Sequence, residues 1–94
     1  MRRAAKVDQS QGPIVEFLRA TGCKVDIIGR PVDLLVRIGR HYATAECKTP
    51  GKNQKRRMQS QIDHDADAQA NGAPHYVLTS VEDAVQMRNE VLRR

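Results

Sequence analysis

Two short apolar runs separated only by Gly39 and Arg40 constrain the fold of this 94-residue chain more than any other feature. The first, Val32–Ile38, carries Asp33 directly before Leu34, Leu35 and Val36. The second, His41–Lys48, passes through Tyr42, Ala43, Thr44 and Ala45 to Glu46, Cys47 and Lys48. So short a link suits a hairpin, because Gly39 supplies the positive φ that such turns need. Side chains alternate along a strand, so Glu46 and Lys48 share one face, about 6.6–7 Å apart at Cα, while Cys47 points to the other. The hairpin brings Asp33 near Glu46. Two carboxylates and one ammonium then converge on a partly buried surface, where charge must be paired or bound to metal.

The rest of the sequence supplies the elements that would pack on such a hairpin. A helix is expected from about Gln9 to Thr21, with Ile14, Val15, Phe17 and Leu18 as its apolar stripe and Gly22 after its end. Pro13 is tolerated only in a first turn, which places the start near Ser10 or Gln11. Cys23–Ile28 reads as a strand. Thr49–Pro50–Gly51 then ends the sheet run with turn residues. A second helix is expected from about Met58 to Asn71–Gly72, with Met58, Ile62 and Ala66 spaced by four as an apolar stripe on one face. His75–Thr79 is a fourth strand. Ser80 caps a last helix by accepting a bond from the N–H of Asp83, and that helix carries Val81, Ala84, Val85, Arg88, Val91 and Leu92 on one side. The order αβββαβα defines one mixed α/β domain over residues 1–94.

Sixteen Lys and Arg against eleven Asp and Glu give a formal charge of +5, which favours polyanionic partners, nucleic acid foremost. No apolar run approaches the roughly 20 residues that span a bilayer, and the basic start Met1–Arg2–Arg3–Ala4 lacks the apolar stretch of a secretory signal, so a cytoplasmic protein is expected. Cys23 and Cys47 are far apart and lie in apolar surroundings, which reads as buried free thiols in a reducing compartment. His41, His64 and His75 are scattered and lack zinc-finger spacing. Asp63, Asp65 and Asp67 lack the glycine and closing Glu of a calcium loop and read as a solvated helix face.

Asp33, Glu46 and Lys48 are therefore the residues most able to carry chemistry. The bland reading of Glu46 and Lys48 is a surface ion pair worth about 0–1 kcal/mol. The sharper reading joins them to Asp33 around Mg²⁺ or Mn²⁺, with the backbone carbonyl of Cys47 as a further oxygen ligand and phosphate oxygens completing the shell. Lys48 would then act on the attacking water or balance charge on a scissile phosphate. The run Lys52, Lys55, Arg56 and Arg57 follows directly and is placed to hold DNA phosphates.

The sequence resembles the PD-(D/E)XK nuclease superfamily and, within it, small stand-alone VRR-NUC (virus-type replication–repair nuclease) domains. Val32–Asp33–Leu34–Leu35–Val36, Ala45–Glu46–Cys47–Lys48 and Gln61 carry the resemblance, and Tyr76–Ala84 is similar as well. The likeness covers nearly the whole chain. It implies a restriction-endonuclease-like αβββαβ core, a mixed sheet flanked by helices, with Asp33 and Glu46 as metal ligands and Lys48 as the catalytic lysine. Gln61 would support the site from the following helix. The resemblance also implies a homodimer acting on branched DNA such as a Holliday junction, in DNA repair, in a bacterial or phage-infected cell. Two departures stand out. Val32 separates Pro31 from Asp33, where the family has Pro directly before the Asp. Gln11 occupies the position matched to a supporting helix-one Glu, and Glu16 lies five residues on, on another side of the helix. A neutral Gln11 leaves the site one negative charge poorer and is expected to weaken metal binding.

The leading expectation is a Mg²⁺- or Mn²⁺-dependent DNA endonuclease. The alternatives are a nuclease-fold module that binds DNA without cutting it, and a basic interaction subunit in which Asp33, Glu46 and Lys48 are structural. The last predicts that replacing Glu46 costs stability and not function.

Overall fold

The computed structural model describes residues 9–49 and 59–94. Its elements in order are α1 (Gln11–Ala20), β1 (Lys24–Ile27), β2 (Leu34–Ile38), β3 (His41–Cys47), α2 (Gln59–Asn71), β4 (His75–Leu78) and α3 (Val81–Leu92). This is an α/β fold with one four-stranded sheet in the order β1-β2-β3-β4. The first three strands form an antiparallel meander, and β4 joins β3 in parallel. A parallel neighbour needs a crossover, which the segment containing α2 provides.

The Gly39–Arg40 link closes the expected hairpin, pairing Ile38 with His41 and, at the far end, Leu34 with Ala45. Gly39 takes φ +61°, and a Cβ there would approach Leu92 Cδ2 to 3.3 Å. Left-handed backbone costs a non-glycine residue about 1–2 kcal/mol. Gly39→Ala is therefore expected to lower stability by at least about that amount, read as a lower midpoint in chemical denaturation with unchanged slope.

One face of the sheet holds the apolar core. Leu34, Val36 and Ile38 of β2, Ala43, Ala45 and Cys47 of β3, and Leu78 of β4 are buried there with Ile14, Val15 and Leu18 of α1 and Ala84, Met87 and Val91 of α3. The alternation of strand side chains sends Thr44 and Glu46 to the opposite face, which α2 covers over β3 and β4. Neither cysteine is in a disulfide and both are buried, with Cys47 in the core as its position in the alternation requires. Among the described residues no helix is long and apolar enough to cross a membrane.

Helix ends follow their local chemistry. Ser80 is extended and its Oγ accepts from Asp83 N at 3.2 Å, the expected cap. Asp83 answers by accepting from both the N–H and the hydroxyl of Thr79 at 2.8 Å. Gly72 follows α2 at φ +69°, the stop that Asn71–Gly72 signals.

Three expectations need correction. The apolar run Val32–Ile38 begins to pair only at Leu34, so Val32 and Asp33 lie ahead of β2 and not within it. In α3 the inward side is Ala84, Met87 and Val91, whereas Val85 and Leu92 are exposed. In α2 the expected stripe is turned out: Ile62 is 41% exposed and Ala66 is exposed, while Gln61 and Ala68 are buried. The reason lies beneath the helix. The sheet face under α2 presents Thr44, Glu46 and His75, and an apolar helix face laid on them would strand buried donors and acceptors at roughly 1–3 kcal/mol each. The basic residues Lys52, Lys55, Arg56 and Arg57, the turn residues Pro50 and Gly51, Met58 and residues 1–8 lie outside the described residues.

Candidate functional site

The site forms at the open end of the β2–β3 ladder. The last pair of that ladder is Leu34 with Ala45, and Asp33 and Glu46 are the next residues of the two chains beyond it. Asp33 is half-buried, and its Oδ2 accepts from the backbone N–H of Cys47 at 2.7 Å, so this carboxylate closes the ladder where the backbone pairing ends. The carbonyl of Asp33 in turn accepts from the N–H groups of Ile28 and Gly29 at 2.9 and 3.3 Å, which ties the approach to β2 onto the end of β1.

Glu46 has no exposed surface. A carboxylate removed from water in this way requires charged or hydrogen-bonding partners. Its Oε1 lies 3.2 Å from His75 Nε2, and its Oε2 lies 4.0 Å from Lys48 Nζ. Lys48 follows the last residue of β3 and keeps a little exposure, 13% of its side chain. Its backbone N–H donates to the carbonyl of Leu78 on β4, and its Nζ donates to Gln61 Oε1 at 3.3 Å. Gln61 thus reaches the site from the buried side of α2. The geometry brings Asp33, Glu46, Lys48 and Gln61 to one end of the sheet.

Gln11 opens α1 and is buried at 7% exposure. The residues before it tie the helix to the end of β3: Ser10 Oγ donates to the Lys48 carbonyl at 3.1 Å, and Gln9 N donates to Thr49 Oγ1 at 3.2 Å. Ser10 therefore spends its hydroxyl on β3 and not on capping its own helix. Gln11 also borders a groove of about 540 Å³ between α1 and β1, together with Glu16 and Ile27. Glu16 faces that groove and is exposed, on a different side of α1 from the buried Ile14 and Leu18.

Three further residues join the site that the sequence pattern left scattered. His75 Nδ1 lies 2.8 Å from Thr44 Oγ1, and His64 Nε2 lies 2.9 Å from the same oxygen. The two rings meet edge to face, 5.0 Å between centroids. The signals were present. Thr44 lies two residues before Glu46 and shares its face, His75 is the β4 residue in register with Thr44, and Gln61 and His64 are three apart on one helix face. The Ile62–Ala66 spacing obscured them by suggesting the opposite face of α2.

Among the described residues no three His, Cys, Asp or Glu side chains form a ready-made metal cluster. The groups able to hold a cation are the carboxylates of Asp33 and Glu46. Mg²⁺ typically takes one or two protein carboxylates and completes its octahedron with water and substrate phosphate, so this donor set fits Mg²⁺ or Mn²⁺. Lys48 beside it supplies a fixed positive charge.

The chain matches no protein-family model, no curated protein and no solved structure.

Proposed function

We propose that the protein is a metal-dependent DNA endonuclease of the PD-(D/E)XK type, with a restriction-endonuclease-like core. The observation that carries the reading is the placement of Asp33, Glu46 and Lys48 at one end of the sheet, with Lys48 Nζ 4.0 Å from Glu46 Oε2 and 3.3 Å from Gln61 Oε1. Asp33 and Glu46 would hold the cation, with the Cys47 carbonyl as a further oxygen ligand. When bound, Mg²⁺ or Mn²⁺ supplies charge stabilisation at the scissile phosphate and a more acidic water. The chain's own contribution is orientation and charge. Gln61 holds the Lys48 ammonium, which stabilises negative charge growing on the phosphate or orients the attacking water. The core behind Ala45 and Cys47 keeps the strand end rigid, which is what a site needs if its groups are not to reorganise during reaction.

The resemblance extends the proposal to a homodimer that cuts branched DNA, since a two-fold pair presents two equivalent sites to a symmetric junction. The basic run containing Lys52, Lys55, Arg56 and Arg57 would grip phosphates. Replacing Arg56 and Arg57 with Ala is expected to weaken DNA binding across sequences alike and to flatten the log–log salt dependence by about 0.9 for each phosphate that is no longer neutralised. Fluorescence anisotropy over a salt series measures this; an unchanged slope would remove these two residues from the interface.

A second reading, a nuclease-like module that binds DNA without cutting it, is favoured by one observation: Glu46 has no exposed surface and lies against His75. Gln11 in place of an acid points the same way. Divalent-metal titration separates the two. The enzyme gains cleavage with Mg²⁺ or Mn²⁺ and loses it in EDTA, while the module binds DNA and yields no product under either condition.

A further inference from the structure

We infer that His75 is a positioning residue that, through a hydrogen-bond chain from α2, holds Glu46 Oε1 inward and presents Oε2 beside Lys48; this rests on the reading of Glu46 as a metal ligand. The chain runs through three elements. His64 on α2 contacts Thr44 on β3, Thr44 contacts His75 on β4, and His75 contacts Glu46 on β3. The His75 side chain is only 2% exposed and that of Glu46 is fully buried, so bulk water does not stand in for either partner.

Donor counting sets the direction of the link to Glu46. An ionised carboxylate only accepts, so His75 Nε2 must carry the proton that bonds to Oε1. On the other side of the ring Nδ1 lies 2.8 Å from Thr44 Oγ1, a hydroxyl that can donate or accept. The same hydroxyl also reaches the Pro74 carbonyl at 3.4 Å, and His64 Nε2 contacts its oxygen at 2.9 Å. A ring tied at both nitrogens cannot turn over without breaking two bonds.

The consequence is chemical. With Oε1 held by His75 and Oε2 turned toward Lys48, a cation at that end would meet one oxygen of Glu46 and not both. One oxygen suits the small, octahedral Mg²⁺ shell, whereas a carboxylate able to turn and offer both oxygens suits Ca²⁺, which accepts bidentate ligands and higher coordination. His75 and Thr44 therefore determine both the affinity of the site and its preference for Mg²⁺ over Ca²⁺.

The test uses the full chain without DNA, with Mn²⁺ binding followed by electron paramagnetic resonance and Mg²⁺ or Ca²⁺ as competitor. His75→Leu and Thr44→Val are expected to weaken Mn²⁺ binding by about 10–100-fold, the usual cost of losing a hydrogen bond that orients a ligand. Both should also narrow the preference for Mg²⁺ over Ca²⁺. His75→Gln, whose amide N–H can replace the Nε2 donor, is expected to recover much of the loss. Nitrogen-15 spectra of the metal-free wild type should show His75 protonated at Nε2, and Thr44→Val should disturb that assignment. A purely structural role would lower thermal stability while leaving the Mn²⁺ affinity and competition of the folded variants unchanged, and that result would overturn the inference. So would a wild-type His75 protonated at Nδ1 alone. A wild type that binds no Mn²⁺ overturns the metal reading of Glu46 itself, and the inference with it.

Discussion

Glu46→Gln is expected to leave a folded protein whose metal-dependent DNA cleavage has fallen by more than about 100-fold, beyond what the loss of a ligand's orienting partner costs. The change is nearly isosteric. The Gln side-chain oxygen can still accept from His75 Nε2–H, which lies 3.2 Å from Glu46 Oε1 in the wild type. What disappears is the negative charge beside Lys48, and with it the ionic oxygen that a hard cation requires. Affinity for DNA should survive, because it comes from phosphate contacts and not from this buried group. Cleavage and anisotropy on one preparation check both halves. Cleavage persisting at the wild-type rate in Glu46→Gln would remove Glu46 from the metal site.

The other large effect concerns stability. Glu46→Ala removes the acceptor facing two buried or nearly buried donors, His75 at 2% and Lys48 at 13% side-chain exposure. Deleting one partner of a buried charged pair costs about 3–5 kcal/mol, because the group left behind has neither partner nor water. Lys48 keeps Gln61 as a partner, which places the expected loss at the lower end, about 3 kcal/mol. Glu46→Gln keeps the His75 bond and should lose only about 1 kcal/mol. Denaturant midpoints with a common slope measure the difference. Equal stability of Glu46→Ala and wild type would show that the His75 and Lys48 contacts contribute nothing net. The contrast also identifies Glu46→Gln as the variant for judging catalysis, since the alanine variant confounds activity with folding.

Much of this arrangement was legible in the sequence because strand geometry leaves little choice. A short Gly-containing link between two apolar runs fixes a hairpin, and period-two alternation then sends Cys47 into the core and Glu46 to the other face. The Ser80 cap was readable for the same local reason: a hydroxyl three residues before an N–H at a helix start has one obvious partner. What could not be read was which side of α2 faces inward. Helical periodicity selects the most apolar stripe, here Ile62 and Ala66, and takes no notice of what the sheet presents. Because β3 and β4 offer Thr44, Glu46 and His75, the polar stripe of Gln61 and His64 was the one that could satisfy buried groups. His75 escaped for a related reason. Its proximity to Glu46 depends on the parallel β3–β4 register, which pairs Thr44 with His75 across 31 residues of chain and leaves no short-range pattern.

The most direct measurement is cleavage of labelled four-way junction, flap and linear duplex DNA by wild type and Glu46→Gln, each with Mg²⁺, Mn²⁺ or EDTA. Thermal melts of the same samples would confirm that both proteins are folded. The expected result is product from the wild type only with metal, greatest on branched DNA, and product reduced more than about 100-fold in the folded variant. Wild-type protein that binds these DNAs but cuts none of them with either metal would contradict the nuclease reading and leave a DNA-binding module in its place.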